Sequence, residues 1–200
     1  MYKKQMTAQK FLCLAATIVS GIFFLYSLGI MTDLYDSLYT TMRNPNNIDQ
    51  TSVPGSQIYY YMQGFNNTLL MCSIALILLA VLLYVTNTHV RRRYYIGNFF
   101  AIGAYAAASI GMSIYGHIYI DFYKQWYLAN LDFEALKEFA EMWGTLYTDS
   151  TLWFDLHYLV FGLMIVVSVL LVCNAVWKIN LMKDEAKLVE EGKGRRKTAT

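Results

Sequence analysis

The sequence predicts an all-α integral membrane protein: a four-helix tetraspan bundle, N-in/C-in, with short amphipathic helices in its two outer loops. Three observations predict it. Of 200 residues, 56% are hydrophobic and only 15% charged, the apolar residues are gathered into four long runs, and the basic residues fall on one side of those runs. A soluble domain has less apolar and more charged composition, and its helices carry amphipathic stripes rather than uncharged runs of this length. The expected organisation is one four-span domain, 1–178, with spans of about 11–31, 66–86, 94–120 and 155–178, outer loops 32–67 and 121–154, and a charged cytoplasmic tail, 179–200.

The first run, Phe11 to Met31, contains no charge and gives about 31 Å of helix at about 1.5 Å per residue, enough to cross the hydrocarbon layer. Lys3, Lys4 and Lys10 precede it, but it is too long for a signal peptide and no small-residue cleavage motif follows, so it reads as a retained anchor. The second run, Leu69 to Val85, is shorter, and Ser56 is the expected cap of a helix starting before it. The third, Tyr94 to Ile120, has no charged residue except His117. It carries Gly103, Ala107 and Gly111 on one stripe, with Ala104, Ala108 and Gly116 close beside it; small residues at this spacing let helix backbones approach closely. The fourth, Tyr158 to Trp177, is uncharged, with Asp155 and His157 at its entrance.

Orientation follows from lysine and arginine. Lys3, Lys4 and Lys10, then Arg91, Arg92 and Arg93, then the tail cluster through Lys193, Arg195, Arg196 and Lys197 all fall on one side. That side holds thirteen of sixteen bases and four of fourteen acids, a balance of +9; the other holds three bases and ten acids, a balance of −7. The basic side is assigned to the cytoplasm and to contact with anionic headgroups.

In the first outer loop, Leu34, Tyr35, Leu38, Tyr39 and Met42 share a helical face that Asn44 and Pro45 should end, before a turn at Pro54 and Gly55. In the second, Phe133, Leu136, Ala140, Trp143 and Tyr147 recur at spacings of three and four, opposite Glu134, Lys137, Glu138 and Glu141. That pattern is an amphipathic helix capped by Asn130 or Asp132. Cys13, Cys72 and Cys173 all lie in apolar runs, which excludes a disulfide-stapled outer domain and reads as three small core residues.

Candidate chemistry is sparse. His117 and Asp121 are one helical turn apart at the outer end of the third span, and Asp155 and His157 sit at the mouth of the fourth. Together they make an outer polar cluster, but no spacing matches a metallohydrolase signature, so neither a metal, a cofactor nor a catalytic set is assigned. The central portions of the spans hold no Asp, Glu, Lys or Arg, which argues against an ion-driven pump. The 17 Tyr and 4 Trp partly form aromatic belts. The excess at Tyr59, Tyr60 and Tyr61, with Phe133, Leu136 and Trp143, makes those six the candidate partner-binding residues. Asn66, Asn67 and Thr68 match a glycosylation pattern, but too close to the second span to suit it.

Four spans, internal termini and two outer loops are similar in topology to the tetraspan arrangement of claudins and tetraspanins. The first loop lacks their cysteine pair and the second lacks Cys-Cys-Gly, so no residue role is carried over. The expected function is a non-catalytic integral membrane subunit of a larger complex, supplying helix packing and an outer-face protein-binding surface. Its partners would be other membrane subunits and the bilayer, with no nucleic acid. The alternatives are a small oligomeric channel or transporter with Ser20, Ser73, Ser109, Ser113 and Asn174 along its path, and an outer-leaflet metal-dependent enzyme. The membrane, bacterial inner, plasma or organellar, is not distinguished.

Overall fold

The fold is that of a computed structural model, which describes residues 2–41, 51–89 and 96–198, the last seven as backbone only. Expectations resting on Met42, Arg43, Asn44, Pro45, Arg91, Arg92, Arg93, Tyr94 and Tyr95, or on the side chains of Lys193 to Lys197, lie outside the described residues. Among the described residues five α-helices follow in order: α1 (Tyr2–Leu38), which runs into a 3-10 turn (Tyr39–Thr41), α2 (Ile58–Asn87), α3 (Ile96–Asn130), α4 (Phe133–Trp143) and α5 (Leu152–Thr198). All but α4 are long and apolar enough to cross a membrane. A segment surrounded by lipid must satisfy its backbone groups internally, so uncharged runs of this length become helices.

The four long helices form a closed ring in the order α1, α2, α3, α5, each packing on two neighbours. One end of the ring carries the chain termini; the opposite, loop end carries the connections between α1 and α2 and between α3 and α5. Lipid offers no hydrophobic drive for helices to associate, so close packing and interhelical hydrogen bonds hold the ring together. Phe161 sits at its centre, edge-to-face with Phe23 at 5.8 Å and with Tyr26 at 6.1 Å. Two glycines make room for large rings from α5. A Cβ at Gly116 would lie 2.5 Å from Phe161, and one at Gly29 would lie 2.0 Å from Trp153.

Hydroxyls tie the helices at several depths. Ser20 meets the Tyr105 hydroxyl at 3.1 Å, Tyr105 also donates to the Ala16 carbonyl at 3.1 Å, and Ser27 meets Ser73 at 3.2 Å. Ser109 donates to the Met164 carbonyl at 3.4 Å.

At the loop end the two connections interlock. The Asp132 amide donates to the Pro54 carbonyl at 3.1 Å, and Gly55, at φ 84°, lies so close to Asn130 that a Cβ would stand 2.1 Å from its carbonyl oxygen. The Asp132 carboxylate accepts from the Ala135 amide at 3.0 Å and so caps α4, while Asn130 turns its carboxamide back to the Trp126 carbonyl. Gly144, at φ 65°, closes the other end of α4 in the left-handed conformation.

Two sequence expectations are corrected. Ser56 does not cap α2: its hydroxyl donates to the Val53 carbonyl at 2.8 Å, and α2 starts after Gln57 without a side-chain cap. The hydroxyl is fully buried, where its own turn offers a nearer acceptor than the helix offers a donor. Of the cysteines only Cys13 is in the core; Cys72 is half-buried and Cys173 is exposed. An apolar run that faces lipid does not distinguish the two sides of its helix.

Candidate functional site at the loop end of the bundle

The polar cluster is built where α3 and α5 run side by side. His157 is buried, and its Nδ1 lies against the Phe154 carbonyl one turn back. A carbonyl only accepts, so Nδ1 carries the hydrogen and, in the neutral ring, Nε2 presents a lone pair. That lone pair is 2.9 Å from His117 Nδ1, which then donates and leaves Nε2 as the acceptor of the neutral His117 ring. The rings stack at 5.1 Å, with Tyr158 packed 4.0 Å from His157.

The two carboxylates belong to separate contacts. Asp121 accepts from Tyr158 at 3.3 Å and from Gln125 at 3.4 Å; Asp155 accepts from Lys124 at 2.5 Å and from Thr151 at 2.7 Å. The structure thus joins the two histidines and sets Asp155 apart with a lysine the sequence had not paired with it. Among the described residues no three of His, Cys, Asp and Glu converge as metal ligands. The Lys124–Asp155 pair is partly solvent-exposed, so Lys124→Met is expected to change stability by no more than about 1 kcal/mol, read by thermal denaturation in detergent; a larger loss would mean the pair anchors α3 to α5.

The candidate partner residues divide between covered and open. Leu136 is buried and Phe133 packs edge-to-face on Tyr127 at 5.2 Å, so that face of α4 is covered within the chain and Leu136 is withdrawn from any partner. Trp143 stays exposed, with Met142 and Leu146. Tyr59 packs with Tyr35, Tyr39 and Tyr60 at ring separations of 5.5 to 6.1 Å. Tyr61 is exposed, stands 5.8 Å from Trp126, and its carbonyl accepts from Tyr123. Asn66 of the glycosylation pattern is buried on α2, out of reach of a glycosylating enzyme.

The small residues of α3 divide as well. Gly116 faces inward on Phe161, whereas Gly103, Ala107, Ala108 and Gly111 are exposed and Ala104 is half-buried. A Cβ at Gly103 or Gly111 meets nothing within 4 Å. The inward face of α3 is instead Ala101, Tyr105, Ser109, Ser113 and Gly116. Beside the exposed stripe a groove of about 450 Å³ runs between α2 and α3, floored by Ala107, Ala108 and Gly111 and walled by Cys72, Leu79 and Met112.

Sequence reading missed a buried carboxamide network at the terminal end. Gln9 accepts from Gln5 at 3.4 Å and from Asn174, and donates to Asn87 at 3.5 Å; Asn87 in turn donates to the Asn98 carbonyl at 3.2 Å. Lys178, also buried, stands 5.1 Å over the Phe99 ring. All four long helices meet here. The signal was present as i, i+4 pairs, Gln5 with Gln9 and Asn174 with Lys178, each placing two polar side chains on one helix face. No family model, curated protein or solved structure matches this chain.

Proposed function

We propose that this chain is a non-catalytic integral membrane subunit, N-in/C-in, that holds a transmembrane helix of another membrane protein in the groove between α2 and α3. The observation that carries this reading is the outward stripe of Gly103, Ala107 and Gly111, which the chain's own helices leave uncovered. Glycine within a helix costs about 1 kcal/mol relative to alanine, and lipid chains pack equally well on larger side chains. A floor of small residues gains its advantage when a second backbone comes close, with that helix's larger side chains seated in the groove. Exposed Tyr61, 5.8 Å from Trp126 of α3, continues the α2–α3 side of the bundle toward the loop end. The charge balance of +9 against −7 supports placing the termini in the cytoplasm.

The geometry favours this over the alternatives. Ser20, Ser73, Ser109, Ser113 and Asn174 direct their polar atoms to partners inside the bundle, which leaves them poor lining for a conduction path. The two carboxylates of the outer cluster are engaged by Lys124, Thr151, Tyr158 and Gln125 rather than gathered around the histidines.

Gentle extraction from native membranes, with sizing and mass spectrometry, should give a complex, and Ala107→Cys should cross-link to one co-purifying membrane protein. The double variant Gly103→Leu and Gly111→Leu should lose that protein while the isolated chain melts within a few degrees of wild type. A lone monomer, or a partner that the double variant retains, overturns the reading. Tags at the two ends labelled from opposite sides would overturn the topology.

A further inference from the structure

The groove between α2 and α3 is continued at its loop end by a column of aromatic rings that starts from one of its own lining residues, Tyr115. Tyr115 stands 4.7 Å from Tyr119, and Phe65 of α2 packs on Tyr115, Tyr119 and Tyr123 at 5.6 to 6.0 Å. The Tyr123 hydroxyl donates to the Tyr61 carbonyl at 3.0 Å, and the Tyr61 ring meets Trp126 at 5.8 Å. Gly64 and Thr68, exposed on the face of α2 that carries Cys72 and Ala75 into the groove, keep small side chains alongside the rings.

An aromatic belt does not account for the column. A belt collects at one depth, in an interfacial layer about 5–8 Å thick on each side of the hydrocarbon. Residues 115 to 126 of α3 instead run about 16 Å at about 1.5 Å per residue. The rings also lack what their faces attract. An aromatic face is negative and draws a cation, yet among the described residues no lysine or arginine of the chain stands over any of these rings. The charged residues of α3 at this level, Asp121 and Lys124, turn to Tyr158 and Asp155 of α5. The loop end as a whole holds ten acids against three bases, a balance of −7, so its field favours a basic partner and opposes an acidic one.

We infer that the helix held in the groove carries an arginine or lysine at the end nearest the loops, and that this base stacks on Tyr119 and Tyr61, the exposed rings of the column. The inference rests on the docking of a helix in the groove and adds what selects that helix. With the chain's termini in the cytoplasm, the base sits at the helix end where lysine and arginine are scarce, so most membrane helices lack it.

Synthetic leucine–alanine helices of about 20 residues, bearing arginine, glutamine or glutamate at one end and otherwise uncharged, are added to the full chain in phosphatidylcholine nanodiscs. Binding is read by energy transfer. The arginine helix should bind at least about threefold more tightly than the glutamine helix, with the glutamate helix weakest. Tyr119→Leu should remove that difference and leave the glutamine helix bound as before; Tyr61→Leu should reduce it too and serves if Tyr119→Leu does not fold. Equal binding of the three helices, tightest binding of the glutamate helix, or an arginine preference that survives both variants overturns the inference while the groove reading stands. An arginine preference present in phosphatidylglycerol nanodiscs but lost in phosphatidylcholine assigns the rings to choline headgroups and overturns it as well. If no helix binds the wild-type chain, the docking in the groove and the inference drawn from it fall together.

Discussion

Replacing Gly116 with leucine is expected to destabilise the bundle by about 3 kcal/mol, or to prevent its assembly, because α3 and α5 touch through the absence of a side chain. A Cβ alone would stand 2.5 Å from the Phe161 ring, and that ring cannot swing aside, since Phe23 and Tyr26 of α1 hold its edges. Overpacking in a filled interior costs roughly 1–3 kcal/mol, and here it acts at a three-helix contact. Denaturation in detergent would show the loss. Adding Phe161→Ala should recover part of it, as coupled neighbours do in a double-mutant cycle. Gly111→Leu, five residues earlier and facing open space, should melt close to wild type in the isolated chain, and equal stability for the Gly116 and Gly111 variants would refute the α3–α5 packing.

Gln9→Leu is expected to cost roughly 2–4 kcal/mol, although it adds an apolar side chain within a membrane protein. Gln9 joins Gln5, Asn87 and Asn174, and its loss leaves buried carboxamides on three helices short of a partner. Each orphaned group costs about 1–3 kcal/mol in a soluble core, while interhelical bonds in membranes average nearer 0.6 kcal/mol. The estimate lies between those limits for the whole network. Lys10→Leu, one residue on and exposed, is the control and should leave stability unchanged. If Gln9→Leu melts with it, the network contributes nothing and the helices are held at that end by packing alone.

The class of fold was legible because four uncharged runs leave a chain little alternative to membrane-length helices. The start of α4 was legible because Asp132 and the three-and-four spacing of Phe133, Leu136 and Ala140 are local signals; its end was not, since Tyr147 continues the spacing whereas α4 stops at Trp143, where Gly144 takes the left-handed conformation. What the sequence did not disclose is which side of each helix turns inward. For α3, glycine and alanine pointed to the stripe at Gly103, Ala107 and Gly111, while the bundle uses Tyr105, Ser109 and Ser113; in lipid, polar residues mark the inward side more reliably than small ones. The N-terminal extent of α1 was also understated, since its helix begins at Tyr2 rather than near Phe11, and its early turns are held by Gln5 and Gln9 rather than by lipid. His117 and His157 were placed in one cluster with both carboxylates, but that the two rings pair with each other while Asp155 turns to Lys124 depends on helix rotation, which periodicity alone does not fix.

The ring closes between its first and last members, for Gln5 and Gln9 find Asn174 across 169 and 165 residues of chain. A ribosome makes the first helix long before the last, so during synthesis the early carboxamides have only one another and Asn87 as partners until α5 is made. A nascent chain stopped before α5 therefore has an open ring, with Gln5 and Gln9 short of Asn174.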